Sequence, residues 1–184
     1  GIPDFLLVTT GQLTALKGHH HLLEAAARLR ARNVPVRLAL IGAGPEAERL
    51  KSRAAELGIT EWTHFLGHRD DIHLLLEDAE VAVQPSLMEG LPHSIVEFLG
   101  KGKPVVASRL PGIEEAVDDR CGVLVPPEDP EALVEAIQAL WRDAPRRSAM
   151  AAGARRRSEE LFNRAVMIER TESFLASVVE RGRS

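Results

Sequence analysis

The chain has a single cysteine, no apolar run long enough to cross a membrane, no large excess of either charge, no internal repeat and no low-complexity linker. Cys121 has no second thiol to pair with, so no internal disulfide is expected, and a lone thiol fits a reducing, cytoplasmic compartment. The apolar runs stop well short of the ~20 residues that a membrane span needs. No signal peptide is expected from its opening residues. With a net charge of −4 there is no electrostatic case for a nucleic-acid partner.

What is present suits one domain: 184 residues, 45% of them apolar, are enough to bury a real core. The opening Gly1-Ile2-Pro3-Asp4 runs straight into an apolar strand, which reads as the start of an excised domain. Strands are expected at 5–10, 36–41, 62–65, 81–83, 105–107 and 122–125. Helices are expected between them. One carries Leu22, Leu23, Ala26 and Leu29 on one face, and another turns Ala47, Leu50, Ala54 and Leu57 inward. Shorter ones begin near Ile72 and Ser94. Asp129-Pro130 reads as an N-cap followed by proline at the first helical position, opening a helix through Leu133, Ile137, Leu140 and Trp141. From Pro145 the chain is helical and charged. Arg155, Arg156 and Arg157 read as a solvated face offset by Glu159 and Glu160. Strands alternating with helices in this way imply a doubly wound α/β fold with a parallel sheet covered on both faces.

The stretch from Gln84 to Pro104 carries the chemistry. A buried strand gives way to a loop with Glu89, Gly90, Leu91 and Pro92, then to a helix beginning near Ser94, with Gly100 and Gly102 to end it. Free amides and the positive end of a helix dipole at such a junction form an anion site. Two carboxylates, Glu89 and Glu97, flank it, which is favourable if they accept hydrogen bonds from hydroxyls. The pattern therefore suits a ligand with both phosphate and sugar. Plainer roles stand beside this one. Ser94-x-x-Glu97 fits a capping box, Glu89 fits a solvated loop residue, and Lys17 before a helix fits a solvated lysine. Three consecutive histidines, His19, His20 and His21, point about 100° apart on a helix and cannot share a metal ion. His64 and His68 lack helical spacing, so no metal site is expected. Gly42-Ala43-Gly44-Pro45 after a strand is an incomplete dinucleotide fingerprint without a third glycine.

Glu89-Gly90-Leu91-Pro92-x4-Glu97, with Pro85-Ser86 before it and Gly102-x-Pro104-Val105-Val106 after it, resembles the E-x7-E signature of retaining two-Rossmann-domain glycosyltransferases, the group 1 and glycogen-synthase-like family. The resemblance spans Leu6 to about Phe162. It implies a Rossmann-like donor-binding domain over 1–162 and a helical tail over 163–184 that packs on an amino-terminal acceptor domain. It implies a hexosyltransferase-like enzyme of polysaccharide or glycoconjugate synthesis, working on a nucleoside-diphosphate sugar without a metal or other cofactor.

Carried over residue by residue, Glu89 and Lys17 are the catalytic pair. Glu89 meets the donor sugar, Glu97 the ribose, and the amides of Glu89, Gly90, Leu91, Pro92 and His93 lie along the diphosphate loop, although proline itself has none to give. Gly11, Gln12 and Lys17 form the facing loop, and His68 and Arg69 lie beside the base. Gln12 stands where the family usually has arginine, and Lys17 and Arg109 are the cations left to compensate. The acceptor contacts, and any peripheral membrane contact on the inner face, belong to the missing half, so the chain alone is expected to transfer nothing. Two alternatives remain. One is half of a sugar-nucleotide epimerase or hydrolase; the other is a non-catalytic nucleotide-binding or receiver-like module. A receiver gathers aspartates at its strand ends, and Thr9, Gly42 and Gln84 stand there instead. The last helix, about 163–179, is expected to be loosely held or paired, with Phe162, Val166, Phe174, Leu175 and Val178 on one stripe.

Overall fold

The computed structural model describes residues 4–181. Six parallel strands form one sheet: β1 (Phe5–Thr10), β2 (Val36–Ile41), β3 (Thr63–Gly67), β4 (Val81–Gln84), β5 (Val105–Ser108) and β6 (Gly122–Val125). Their order across the sheet is β3-β2-β1-β4-β5-β6, that of the dinucleotide-binding doubly wound fold. Register pairs Thr10 with Ile41 and Gln84 with Ala107, so the strands end together on one edge.

Alternate side chains feed two cores, as a sheet covered on both faces requires. Leu7, Leu38, Leu40, Val83 and Val106 pack under α1 (His19–Ala31), α2 (Ala47–Glu56) and α6 (Pro130–Arg142). Val8, Ala39, Ile41, Ala82 and Ala107 pack on the other face under α3 (Ile72–Leu75), α4 (His93–Gly100), α5 (Pro111–Glu114) and part of α7 (Ala144–Phe162). Asp129 caps α6 as its sequence implies, accepting from the Ala132 amide at 2.9 Å, with Pro130 in the first turn.

Several local expectations change. Trp62 precedes β3 rather than opening it. It closes a 3-10 turn, Thr60–Trp62, and its ring is covered by the Arg30 guanidinium 3.9 Å from the ring centroid. Gly100 is helical; the stop is Gly102, at φ +64°, where the Gly102 and Lys103 amides bond back to Leu99 and Phe98. Arg157 is more than part of a solvated face, since its guanidinium donates to the carbonyls of Glu115 at 2.7 Å and Ala116 at 3.1 Å at the end of α5. The terminal helix breaks at Asn163 into α7 and α8 (Arg164–Arg181). Phe162 falls on the α7 side of that break and packs into the second core, so it leaves the expected stripe. Phe174, Leu175 and Val178 are exposed, and the Val166 side chain lies outside the described residues.

Candidate functional site

Strand order reverses between β1 and β4, and there the loops leaving the two strands splay apart and open a crevice, as in other doubly wound sheets. The β1 loop, Gly11 to Lys17, ends in a 3-10 turn, Ala15–Lys17, with Gly18 at φ +63° as its left-handed cap. A Cβ on Gly18 would stand 2.1 Å from the Pro85 carbonyl oxygen, so only glycine lets the loops of β1 and β4 close on each other there. The Leu87 amide donates to the Leu16 carbonyl at 2.8 Å and joins them again.

The glycines after β2 turn out to be packing residues rather than a phosphate cradle. A Cβ on Gly42 would meet the Gly11 carbonyl oxygen at 1.8 Å. The amides of Gly11 and Leu13 bond to the carbonyls of Ile41 and Ala43, each at 3.0 Å, and so hold the β1 loop against this turn.

The crevice has a volume of about 610 Å³. Ten residues anticipated from sequence line it: Gly11, Gln12, Lys17, His68, Arg69, Glu89, Leu91, Pro92, His93 and Glu97. Gly90 does not. It sits exposed at the loop tip, its carbonyl so close to Gly112 that a Cβ there would lie 2.0 Å away. Arg109 lies elsewhere, bonded to Glu114 at 3.0 Å and contacting the Leu124 carbonyl at 3.4 Å, so it is no substitute cation for this crevice. Thr10, Ile41, Gly42, Ala43, Ile72 and Ser94 complete the wall, and sequence alone assigned none of them a ligand role.

Lys17 and Glu89 form an ion pair across the reversal point, with side chains 23% and 11% exposed. Glu89 Oε1 also accepts from Ser86 Oγ at 2.9 Å and from Gln84 Nε2 at 3.3 Å. Glu89 is thus a held carboxylate and not a loosely solvated one. Gln84, Ser86 and Ser94 were missed as functional residues. The available signal was a polar residue closing an otherwise apolar strand, with a serine two positions on.

Ser94 does not cap α4. Its hydroxyl donates to Gln84 Oε1 at 2.8 Å, Pro92 occupies the N-cap position, and no side chain caps the helix. The capping-box role for Glu97 therefore falls away. Glu97 is exposed on the crevice wall and pairs with no described residue. First-turn amides of a helix have no acceptor inside it, so the start of α4, around Pro92, His93 and Ser94, presents positive potential to the crevice.

On the opposite wall the Arg69 guanidinium is engaged by Asp71 through two bonds of 2.7 and 2.6 Å, which hold the Asp71 carboxyl below the usual carboxylate range. His68 is exposed, 3.5 Å from Asp70. Of the three consecutive histidines, His19 is buried with its pKa lowered to about 4, first by burial and then by Lys17. His20 and His21 lie against each other with ring centroids 3.9 Å apart and their planes tilted by 42°. Among the described residues no three His, Cys, Asp or Glu side chains converge as metal ligands would. No helix is long and apolar enough to cross a membrane among those residues.

Comparison with known proteins agrees with this geometry. The chain is 40% identical over 156 residues to an MMP alpha-(1->4)-mannosyltransferase of Mycolicibacterium hassiacum, covering 80% of this chain and 37% of that protein. It is 37% identical over 151 residues to a D-inositol 3-phosphate glycosyltransferase of Corynebacterium urealyticum, covering 77% and 36%. Among solved structures, HepE of Anabaena in complex with UDP superposes with a TM-score of 0.88 at 26% identity, over 95% of this chain and 49% of that one. The chain therefore spans between about a third and a half of the length of these relatives. Residues 3–157 match the family of glycosyl transferases group 1, and the chain belongs to that family.

Proposed function

We propose that this chain is the donor-binding half of a retaining, metal-independent hexosyltransferase that takes a nucleoside-diphosphate sugar and serves polysaccharide or glycoconjugate synthesis. The observation that carries the reading is the Lys17–Glu89 pair at the strand-order reversal, beside the uncapped first turn of α4. A cation, free amides and carboxylates with accepting capacity share one crevice, as a ligand with diphosphate at one end and hydroxyls on both sides of it requires. The Anabaena relative was solved with UDP and with UDP-glucose, which makes those the first ligands to test.

As the bond between sugar and diphosphate breaks, negative charge grows on the diphosphate. Lys17 and the α4 amides oppose that charge from positions set before the reaction begins. Glu89 orients the sugar through its free carboxylate oxygen, and Glu97 accepts from the ribose hydroxyls. The acceptor side lies in sequence beyond this chain; 1–162 form the donor unit, and 163–184 pack against that missing half.

Calorimetric titration with UDP, GDP and ADP, and with UDP-glucose, GDP-mannose and ADP-glucose, tests the reading. At least one nucleotide should bind the isolated chain, and Glu97→Ala should weaken it by about 1–3 kcal/mol with little change in melting temperature. A lowered melting temperature with unaltered affinity would remove the ribose role. The chain alone should bind and transfer nothing; robust transfer by it would refute the divided active site.

A further inference from the structure

The side chains behind Glu89 carry an inference that rests on the donor-binding reading and extends it. Gln84 closes β4 at 1% exposure, and Ser86 is fully buried. Gln84 Nε2 donates to Ser86 Oγ at 2.7 Å and to Glu89 Oε1 at 3.3 Å, and Ser86 Oγ donates to the same carboxylate oxygen at 2.9 Å. An ionised carboxylate only accepts, so the amide nitrogen of Gln84 faces Glu89 and its oxygen faces Ser94. The Ser94 hydroxyl, 2.8 Å from that oxygen, must then give its proton inward. Every donor in this chain of groups points the same way, from the first turn of α4 to Glu89. Together with Lys17 they converge on Oε1, while Oε2 accepts from no described residue.

We propose that Gln84 is a positioning residue. Through Ser86 and Ser94 it decides which Glu89 oxygen the protein engages and which one meets a donor-sugar hydroxyl, and it ties that choice to the start of α4. The rest of β4, Val81, Ala82 and Val83, is fully buried and apolar, so the strand itself has no need of an amide here. A buried amide is costly unless its bonds are made, and here both ends are bonded into the site. One consequence is chemical. Because its proton is committed, Ser94 presents only lone pairs to the crevice and accepts from a ligand hydroxyl rather than donating to phosphate.

Two variants test this, Gln84→Leu and Ser94→Ala. The first readout is amine labelling of the folded chain resolved by mass spectrometry, with Lys17 compared against Lys51, which pairs with Glu48 on α2. A Glu89 released from Gln84 can rotate and pairs with Lys17 for less of the time, so Lys17 labelling should rise about fivefold in Gln84→Leu while Lys51 stays constant. Ser94→Ala should move Lys17 in the same direction by less. A purely structural Gln84 would lower the melting temperature without singling out Lys17. The second readout is affinity: Gln84→Leu should lose about fivefold for UDP-glucose relative to UDP. Unchanged Lys17 labelling in folded Gln84→Leu, or in Ser94→Ala if the first variant does not fold, overturns the proposal. Labelling needs no ligand, so failure of the wild-type chain to bind any nucleotide would count against the donor-binding reading alone.

Discussion

Gln12 stands on the crevice wall in the loop that faces the first turn of α4, and its amide makes no hydrogen bond to a described residue. A guanidinium there would place a permanent, forked charge on a diphosphate, whereas the amide offers only neutral donors of roughly half the strength. Gln12→Arg should therefore tighten nucleoside-diphosphate binding by about 1 kcal/mol and make it more sensitive to salt. Titrations at low and high ionic strength check both, and unchanged affinity and salt dependence would show that the side chain does not reach the ligand. His19 makes a different prediction. It is neutral in the fold, with its pKa lowered from 6.5 to about 4. Between those values the unfolded chain takes up a proton that the native chain does not, so stability is intact above pH 6.5 and falls as the pH drops toward 4. The loss from this one group approaches about 3 kcal/mol at the acid end. His19→Leu should flatten the fall in melting temperature between pH 7 and pH 4.5, and an equal fall in both proteins would exclude His19 as its source. Neither the burial of His19 nor the Gln84 network was legible in sequence. Exposure and hydrogen-bond direction depend on what the rest of the chain packs around a residue.

At the scale of elements, strands and helices followed from local pattern because their periods of two and 3.6 record which side faces a core. Glycines were less legible. Gly42 stood in an incomplete dinucleotide fingerprint, yet its lack of a Cβ serves the close approach of Gly11, 31 residues earlier in the chain. At φ +149°, with a backbone oxygen 1.8 Å from any added Cβ, Gly42→Ala should destabilise the fold by about 3 kcal/mol and displace the β1 loop. Gly58 is the control. It too has a positive φ, +67°, but a Cβ there meets nothing within 4 Å. Gly58→Ala should cost about 1 kcal/mol and leave nucleotide binding intact. Denaturant melts and titrations on both variants separate backbone strain from loop collision; equal losses would mean that the close approach is not the cause.

At the scale of the molecule, two cores close around one sheet, and no described side chain of α8 joins either. Phe174 is 63% and Leu175 56% exposed, so their removal from water is not part of this fold. The Arg164–Arg181 amides should exchange at least about tenfold faster than those of α6, whose Leu133, Val134, Ile137 and Leu140 are buried. Replacing Phe174 and Leu175 by serine should change stability by less than about 0.5 kcal/mol. Slow exchange along α8 in a dilute monomer would show instead that the helix is docked on its own sheet.

The sequence by itself determined the layered α/β fold, since alternating apolar strands and amphipathic helices bury their surfaces in few other ways. It also determined most of the crevice: Glu89, Lys17 and Gln12 lie in loops next to strand ends, Glu97 lies on the helix that follows one, and a parallel sheet brings those loops to one edge. Only the tertiary structure decided which of these groups touch. It paired Lys17 with Glu89, 72 residues apart in sequence. It turned the Ser94 proton toward Gln84 instead of the α4 backbone and left Glu97 free. Those choices are non-local. A hydrogen bond between loops depends on strand order and register, and no window of neighbouring residues contains either one.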